Sequence, residues 1–185
     1  MMRQLTVPVA LGRDHLRGSR RAAVTLLEYG DYECVHCGVA DAFVYTVLQR
    51  IDDDLRFAFR HFPVSATHPH AVRAAHASEA AGAQGRFWAM HDLLLENQHA
   101  LGVDDLLLYA AEIGLDVARF ARELACAWHA LRVREDYRSG LDSRVVDTPT
   151  FFINNVRHVG AYDVDTLMKA IRHARFAESG CGTHR

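Results

Sequence analysis

No apolar run in this sequence approaches the ~18 residues needed to cross a bilayer as a helix, so no membrane span is expected. An excess of either charge is also missing: 21 Lys and Arg stand against 23 Asp and Glu, a net charge of −2. Binders of nucleic acid or of acidic membrane surfaces normally carry a basic excess, and neither partner is expected. Cysteine is scarce, with four in 185 residues, too few for a disulfide-stapled scaffold of this length. Low-complexity segments and repeats of solenoid period are absent. Residues 1–11 hold one Arg and a short apolar stretch broken by Thr6 and Pro8. They lack the longer apolar segment and small-residue cleavage site of a secretory leader. The expected compartment is therefore the cytoplasm.

What is present suits one domain with an insertion, since 50% of the residues are hydrophobic and a chain this long can bury an ample core. The twelve histidines fall mostly on polar helix faces and read as surface or satisfied groups.

The stretch that organises the chain is Cys34-Val35-His36-Cys37. It follows a strand-like run, residues 24–29, and precedes a helix-like run. At such a junction the first backbone N–H groups of the helix point outward, and the helix dipole favours negative charge. The Cys34 thiolate is then stabilised, and the thiolate is the nucleophile. Cys37, one turn on, can close a disulfide or resolve a mixed one. The same spacing could be half a zinc site or two ordinary buried cysteines. Against zinc, no second Cys-x-x-Cys and no His pair follows at finger spacing. A second element, Thr148-Pro149-Thr150-Phe151-Phe152-Ile153, precedes another strand-like run far downstream.

In chain order, residues 5–11 read as an edge strand confined there by Pro8, and residues 12–21 as a loop. A strand is expected over 24–29 and a helix over 39–51, ending at the Asp52-Asp53-Asp54 run. Residues 55–62 alternate with period two and read as a strand stopped by Pro63. Strand, helix, strand makes a βαβ unit with a right-handed crossover. Helices are then expected over 71–83, 87–96, 104–113 and 117 to about 137. Gly114 is expected to end the third and Asp116 to cap the fourth. Phe87, Trp88 and Met90 read as core. Residues 150–154 and 156–159 form a hairpin around Asn154-Asn155. Residues 164–177 make a closing helix with Leu167, Ile171 and Ala174 on one face, and the tail is frayed. The fold class is α/β: a thioredoxin fold, β-α-β then β-β-α, with an inserted helical domain. Its parts are residues 1–63, the insert 64–139, residues 140–177, and a tail from 178 to 185. Cys126 reads as an inert packed thiol. Cys181 lies in the tail. His68-Pro69-His70 could join the two cysteines as metal ligands on paper, but reads more simply as a loop before a helix.

The run Glu28-Tyr29-Gly30-Asp31-Tyr32-Glu33-Cys34-Val35-His36-Cys37, the helical insert, and Thr148-Pro149-Thr150-Phe151-Phe152-Ile153-Asn154 together resemble the DsbA-like thiol–disulfide oxidoreductases. The resemblance covers roughly residues 14 to 175. It implies that Cys34 is the exposed nucleophile and Cys37 the buried resolving cysteine. It implies that the His36 imidazole supports the Cys34 thiolate; the plainer reading is an exposed histidine without a role. Pro149 matches the family's cis-proline, and the Thr148 backbone would pair with an extended substrate chain. An ordinary trans proline starting an edge strand is the alternative. Glu28 matches a buried acid that takes the Cys37 proton during resolution; a solvent-facing strand-end carboxylate is the alternative. Glu33 beside Cys34 opposes the thiolate and should make the site less oxidising. Val35 stands where DsbA has Pro, and Asp147 where many relatives have Gly. Both touch the parts that set potential and substrate fit.

The resemblance implies an enzyme exchanging disulfides with protein or peptide thiols. It needs no metal or organic cofactor beyond the Cys34–Cys37 disulfide itself. Two other classes remain open: a redox-sensing binding module, and a thioredoxin-fold transferase or isomerase acting on small thiol conjugates.

Overall fold

The structure, a computed structural model, describes residues 4–51 and 53–179. Its sheet has five strands in the order β1-β3-β2-β4-β5. At its centre β2 (Val24–Gly30) and β3 (Leu55–His61) run parallel, with Val24 opposite Leu55 and Gly30 opposite His61. Both strands are buried on nearly every residue, as parallel strands covered on two faces are. Helix α1 (Val35–Arg50) makes the crossover between them. Strand β1 (His15–Gly18) pairs antiparallel with β3 at one edge. Strand β4 (Thr150–Ile153) pairs antiparallel with β2, and β5 (Val156–Arg157) closes the other edge. The β4–β5 turn uses Asn154 and Asn155 at φ 44° and 68°, the double left-handed geometry that Asn tolerates and a two-residue hairpin requires.

Five helices stand between β3 and β4: α2 (Ala71–Gly82), α3 (Phe87–Glu96), α4 (Val103–Glu112), α5 (Val117–Ala125) and α6 (Ala130–Asp142). The Asp116 carboxylate accepts the Arg119 N–H at 2.9 Å and caps α5. Helix α7 (Val164–Ser179) ends the described chain. One apolar cluster runs from Val24, Phe57 and Phe59 in the sheet through Phe87, Met90, Leu106 and Phe120 in the inserted helices to Leu167 and Ile171 in α7. The insert and the sheet therefore share a core. A smaller cluster on the opposite side joins Leu5, Leu27, Tyr29, Phe62, Val145 and Phe152.

The structure departs from the sequence expectations at several places. Residues 5–11 form no strand. The Val7 and Pro8 carbonyls instead accept from the Arg60 guanidinium at 2.7 and 3.1 Å. The edge strand lies within 12–21, where a loop was expected. Its polar side chains are used for packing: the His15 ring stacks on Phe87 at 3.6 Å, and the Arg17 guanidinium covers the Trp88 ring at 4.5 Å. The expected helix from 117 to 137 is two helices, broken where Ala127 adopts φ 49° and the Trp128 N–H bonds back to the Glu123 carbonyl. Cys126 sits at that break and is exposed, not packed. Strand β3 does not alternate: Arg60 is buried beside Asp14. Helix α1 begins four residues earlier than expected and is capped at Ile51. Asp52, Cys181 and the tail from 180 lie outside the described residues.

Candidate active site

Cys34 is the N-cap of α1, in an extended conformation, and Cys37 is in the first turn. Both are free thiols. Placing Cys34 before the first turn aims the His36 and Cys37 backbone N–H groups at its sulfur, which is the helix-end effect expected from the spacing. The Cys37 thiol hydrogen-bonds the Cys34 sulfur and contributes most to lowering its pKa to about 5. Burial opposes this, but the Thr148 hydroxyl and the two N–H groups reinforce it. As a thiol, Cys34 lies 3.4 Å from the Thr148 carbonyl. The Thr148–Pro149 peptide bond is cis. The hairpin strand β4 thus carries residues 148 and 149 to the cysteines from 114 residues away in sequence.

Cys37 is fully buried. Burial, its bond to Cys34, and the charges of Glu28 and Cys34 push its thiol far up. The Asp31 backbone N–H, 3.4 Å from the sulfur, works the other way. Glu28 is 2% exposed near the C-terminal end of β2. Burial raises its pKa well above the carboxylate range, helped by the Asp41 charge and opposed by a hydrogen bond with Cys37. Its Oε1 has no hydrogen-bond partner and almost no contact with solvent. A carboxyl whose proton affinity is raised beside a buried thiol can, in its ionised form, take the proton that thiol must lose.

The structure therefore gathers Cys34, Cys37, Glu28, Thr148 and Pro149. His36 reaches the thiolate through its backbone N–H, while its side chain is exposed on the first turn of α1. Val35 is also exposed, at 70%. The Glu33 carboxylate is drawn toward the loop before α2, where it accepts the His70 N–H at 2.6 Å and pairs with His70 Nδ1 at 2.8 Å.

Three contributors were missed by sequence reasoning. The carboxylate of Asp31, buried at 2% exposure, accepts from the Glu33 N–H at 2.8 Å, the Val64 N–H at 2.7 Å and His68 Nδ1 at 2.8 Å. Gln98, from the α3–α4 connection, donates through Nε2 to the Tyr32 and Cys34 carbonyls at 2.9 and 2.8 Å. Gly38 gives Gln98 its room, because a Cβ there would collide with Gln98 Oε1. Only the Gly30-Asp31 turn composition hinted at any of these.

A polar cluster lies apart from the thiols. His61, Glu79 and Asp136 place ligand atoms within 4.8 Å of one another. Arg132 lies 2.8 Å from Asp136 and 3.7 Å from Glu79, and His15 and His61 both bond Glu79 at about 3 Å. These carboxylates thus already have cationic or hydrogen-bonding partners.

Residues 11–173 match the thioredoxin family. The chain belongs to the thioredoxin family. Within it the fold is DsbA-like. BdbD from Bacillus subtilis aligns with a TM-score of 0.82 at 22% identity, covering 90% of this chain and 95% of that one. A thioredoxin-like oxidoreductase from Silicibacter pomeroyi aligns at 0.79 and 24% identity, covering 89% and 94%. Among curated proteins, Na(+)/H(+) antiporter NhaA 1 of Salinispora arenicola is 47% identical over 92% of this chain but only 26% of its own length. NhaA 3 of Salinispora tropica is 46% identical over the same shares. This thioredoxin-family chain thus spans about a quarter of those relatives. Among its described residues no helix is long and apolar enough to cross a membrane.

Proposed function

We propose that this protein is a thiol–disulfide oxidoreductase acting on protein or peptide thiols. The observation that carries the reading is the opposed pair: Cys34 lowered to about 5 at the mouth of α1, and Cys37 raised and buried against Glu28. The Cys34 thiolate attacks a substrate disulfide, forming a mixed disulfide and expelling one substrate thiolate. Glu28, once it has lost its own proton, takes the Cys37 proton, and Cys37 attacks Cys34 Sγ. The substrate leaves as its second thiolate, and the Cys34–Cys37 disulfide remains. Oxidation of a substrate dithiol is the reverse sequence. Thr148 and Pro149 would hold the extended substrate strand beside the sulfur. The His36 side chain, on the exposed rim, would meet the substrate rather than the core.

Direction and compartment are linked. A potential near the ~ −120 mV of DsbA lies about 100–150 mV above the cytosolic glutathione poise, and would hold the pair as dithiol there. A cytoplasmic location therefore goes with a reductase or isomerase. Equilibration in glutathione buffers with acid quenching and thiol trapping measures the potential. Failure of Cys34 and Cys37 to form a disulfide at any poise would sink the reading.

A second reading has its own support. Relatives with 46–47% identity carry this unit within longer proteins named as antiporters. That context favours a redox-sensing module whose cysteine state acts on an attached or neighbouring partner. Insulin reduction separates the two: sustained turnover fits the enzyme, and stoichiometric oxidation without turnover fits the sensor. Activity surviving Cys37→Ala would instead favour a transferase acting on small thiol conjugates.

A further inference from the structure

The turn before α1 is tied to the loop before α2 by two histidine–carboxylate pairs. His68 Nδ1 meets Asp31 Oδ2 at 2.8 Å, and His70 Nδ1 meets Glu33 Oε1 at 2.8 Å. The two are not equivalent. The Glu33 and His70 side chains are 18% and 44% exposed, whereas that of Asp31 is fully buried and that of His68 only a quarter exposed. Exposed pairs contribute little, so the Asp31–His68 pair is the one with consequence. Asp31 also touches both reacting residues through its backbone: its carbonyl accepts the Cys34 N–H at 3.1 Å, and its N–H points at Cys37 Sγ at 3.4 Å.

We propose that His68 is a positioning residue of the thiol chemistry: paired to the buried Asp31 carboxylate, it sets the charge beside Cys34 and makes the reactivity of that sulfur follow imidazole protonation. This rests on the disulfide-exchange reading above. The groups facing His68 are Asp31, Glu33 and the Cys34 thiolate, with His70 engaged by Glu33. All three facing groups are anionic when ionised. Burial works against charging His68, but the Asp31 bond and the three negative charges outweigh it and raise its pKa. Coupling is reciprocal: if the thiolate favours the imidazolium, the imidazolium favours the thiolate. As pH rises through the His68 ionisation, Cys34 stays ionised but loses a neighbouring cation. Its sulfur becomes more basic, and thiolate nucleophilicity rises with basicity.

The test is the pH profile of Cys34 alkylation by iodoacetamide in the reduced protein. Wild type should show two inflections, one from Cys34 near 5 and one above it from His68. His68→Gln keeps a donor for Asp31 but removes the titrating charge. It should lose the upper inflection and move the lower one upward. Superimposable wild-type and His68→Gln profiles overturn the proposal. Should that variant not fold, the reciprocal measurement decides: Cys34→Ser should shift the NMR titration of His68 to lower pH, and an unshifted titration overturns it. A protein forming no Cys34–Cys37 disulfide overturns the exchange reading and this proposal together. Superimposable profiles in an exchange-active protein overturn this proposal alone.

Discussion

Replacing Cys37 by Ala removes the largest single contribution to the Cys34 thiolate. With a pKa of about 5, Cys34 is ~99% thiolate at pH 7, against ~3% for an ordinary thiol near 8.5, a roughly 30-fold difference in nucleophile concentration. A hydrogen bond to a charged group contributes ~1.5–3 kcal/mol, and one pKa unit corresponds to ~1.4 kcal/mol. Losing the Cys37 thiol should therefore raise Cys34 by roughly one to two units. The Thr148 hydroxyl and the His36 and residue-37 backbone N–H groups remain, so it should not reach the ordinary value. At pH 6 the thiolate fraction should fall from ~90% to ~10–50%. Thiolate absorbance near 240 nm, titrated on reduced wild type and Cys37→Ala, reads this directly. Thr148→Val, which removes one hydroxyl, should give a smaller shift in the same direction. An ionisation unmoved in Cys37→Ala would refute the assignment and leave the helix terminus and the Thr148 hydroxyl as the sources of the effect.

Burial raises Glu28, so the folded protein holds a proton that the unfolded chain releases; stability should fall as pH rises through that window. Glu28→Gln should flatten the fall in thermal melts while slowing release of substrate from the mixed disulfide. Asp14 has the opposite sign: burial disfavours its charge, but Arg60 and its other partners hold it below the carboxylate range. The pair contributes stability above the unfolded value of about 3.9 that is lost as pH falls further. Breaking it with Asp14→Ala should cost ~3–5 kcal/mol in urea unfolding at pH 7, and a cost below ~1 kcal/mol would contradict the buried ion pair. Gly38→Ala should expel Gln98 from the Tyr32 and Cys34 carbonyls, costing ~1–2 kcal/mol net of the helix gain. In a Gln98→Ala background the same change should become stabilising by ~0.5–1 kcal/mol, which a double-mutant cycle measures.

Much of the fold was legible because its signals are local. The apolar run at β2, the helical spacing in α3, the Asp116 cap and the Asn154-Asn155 turn each depend on neighbours in sequence. The break at Ala127 was not legible: the buried Glu123 accepts from Arg119 and His129 on either side of it, and that burial is a tertiary fact. The same holds for β1, whose polar side chains pack on α3.

By itself the sequence located the candidate reaction centre. Four consecutive residues at a strand-to-helix junction place a thiolate on helix N–H groups wherever that helix forms. Only the tertiary structure decided what surrounds that sulfur. Thr148 comes from 114 residues away, Gln98 from 64 and, through Asp31, His68 from 37. Glu28 could have faced water; that it is buried against Cys37 depends on the layers covering β2. Charge and proton affinity follow burial and contact, and neither is written in the spacing of the residues along the chain.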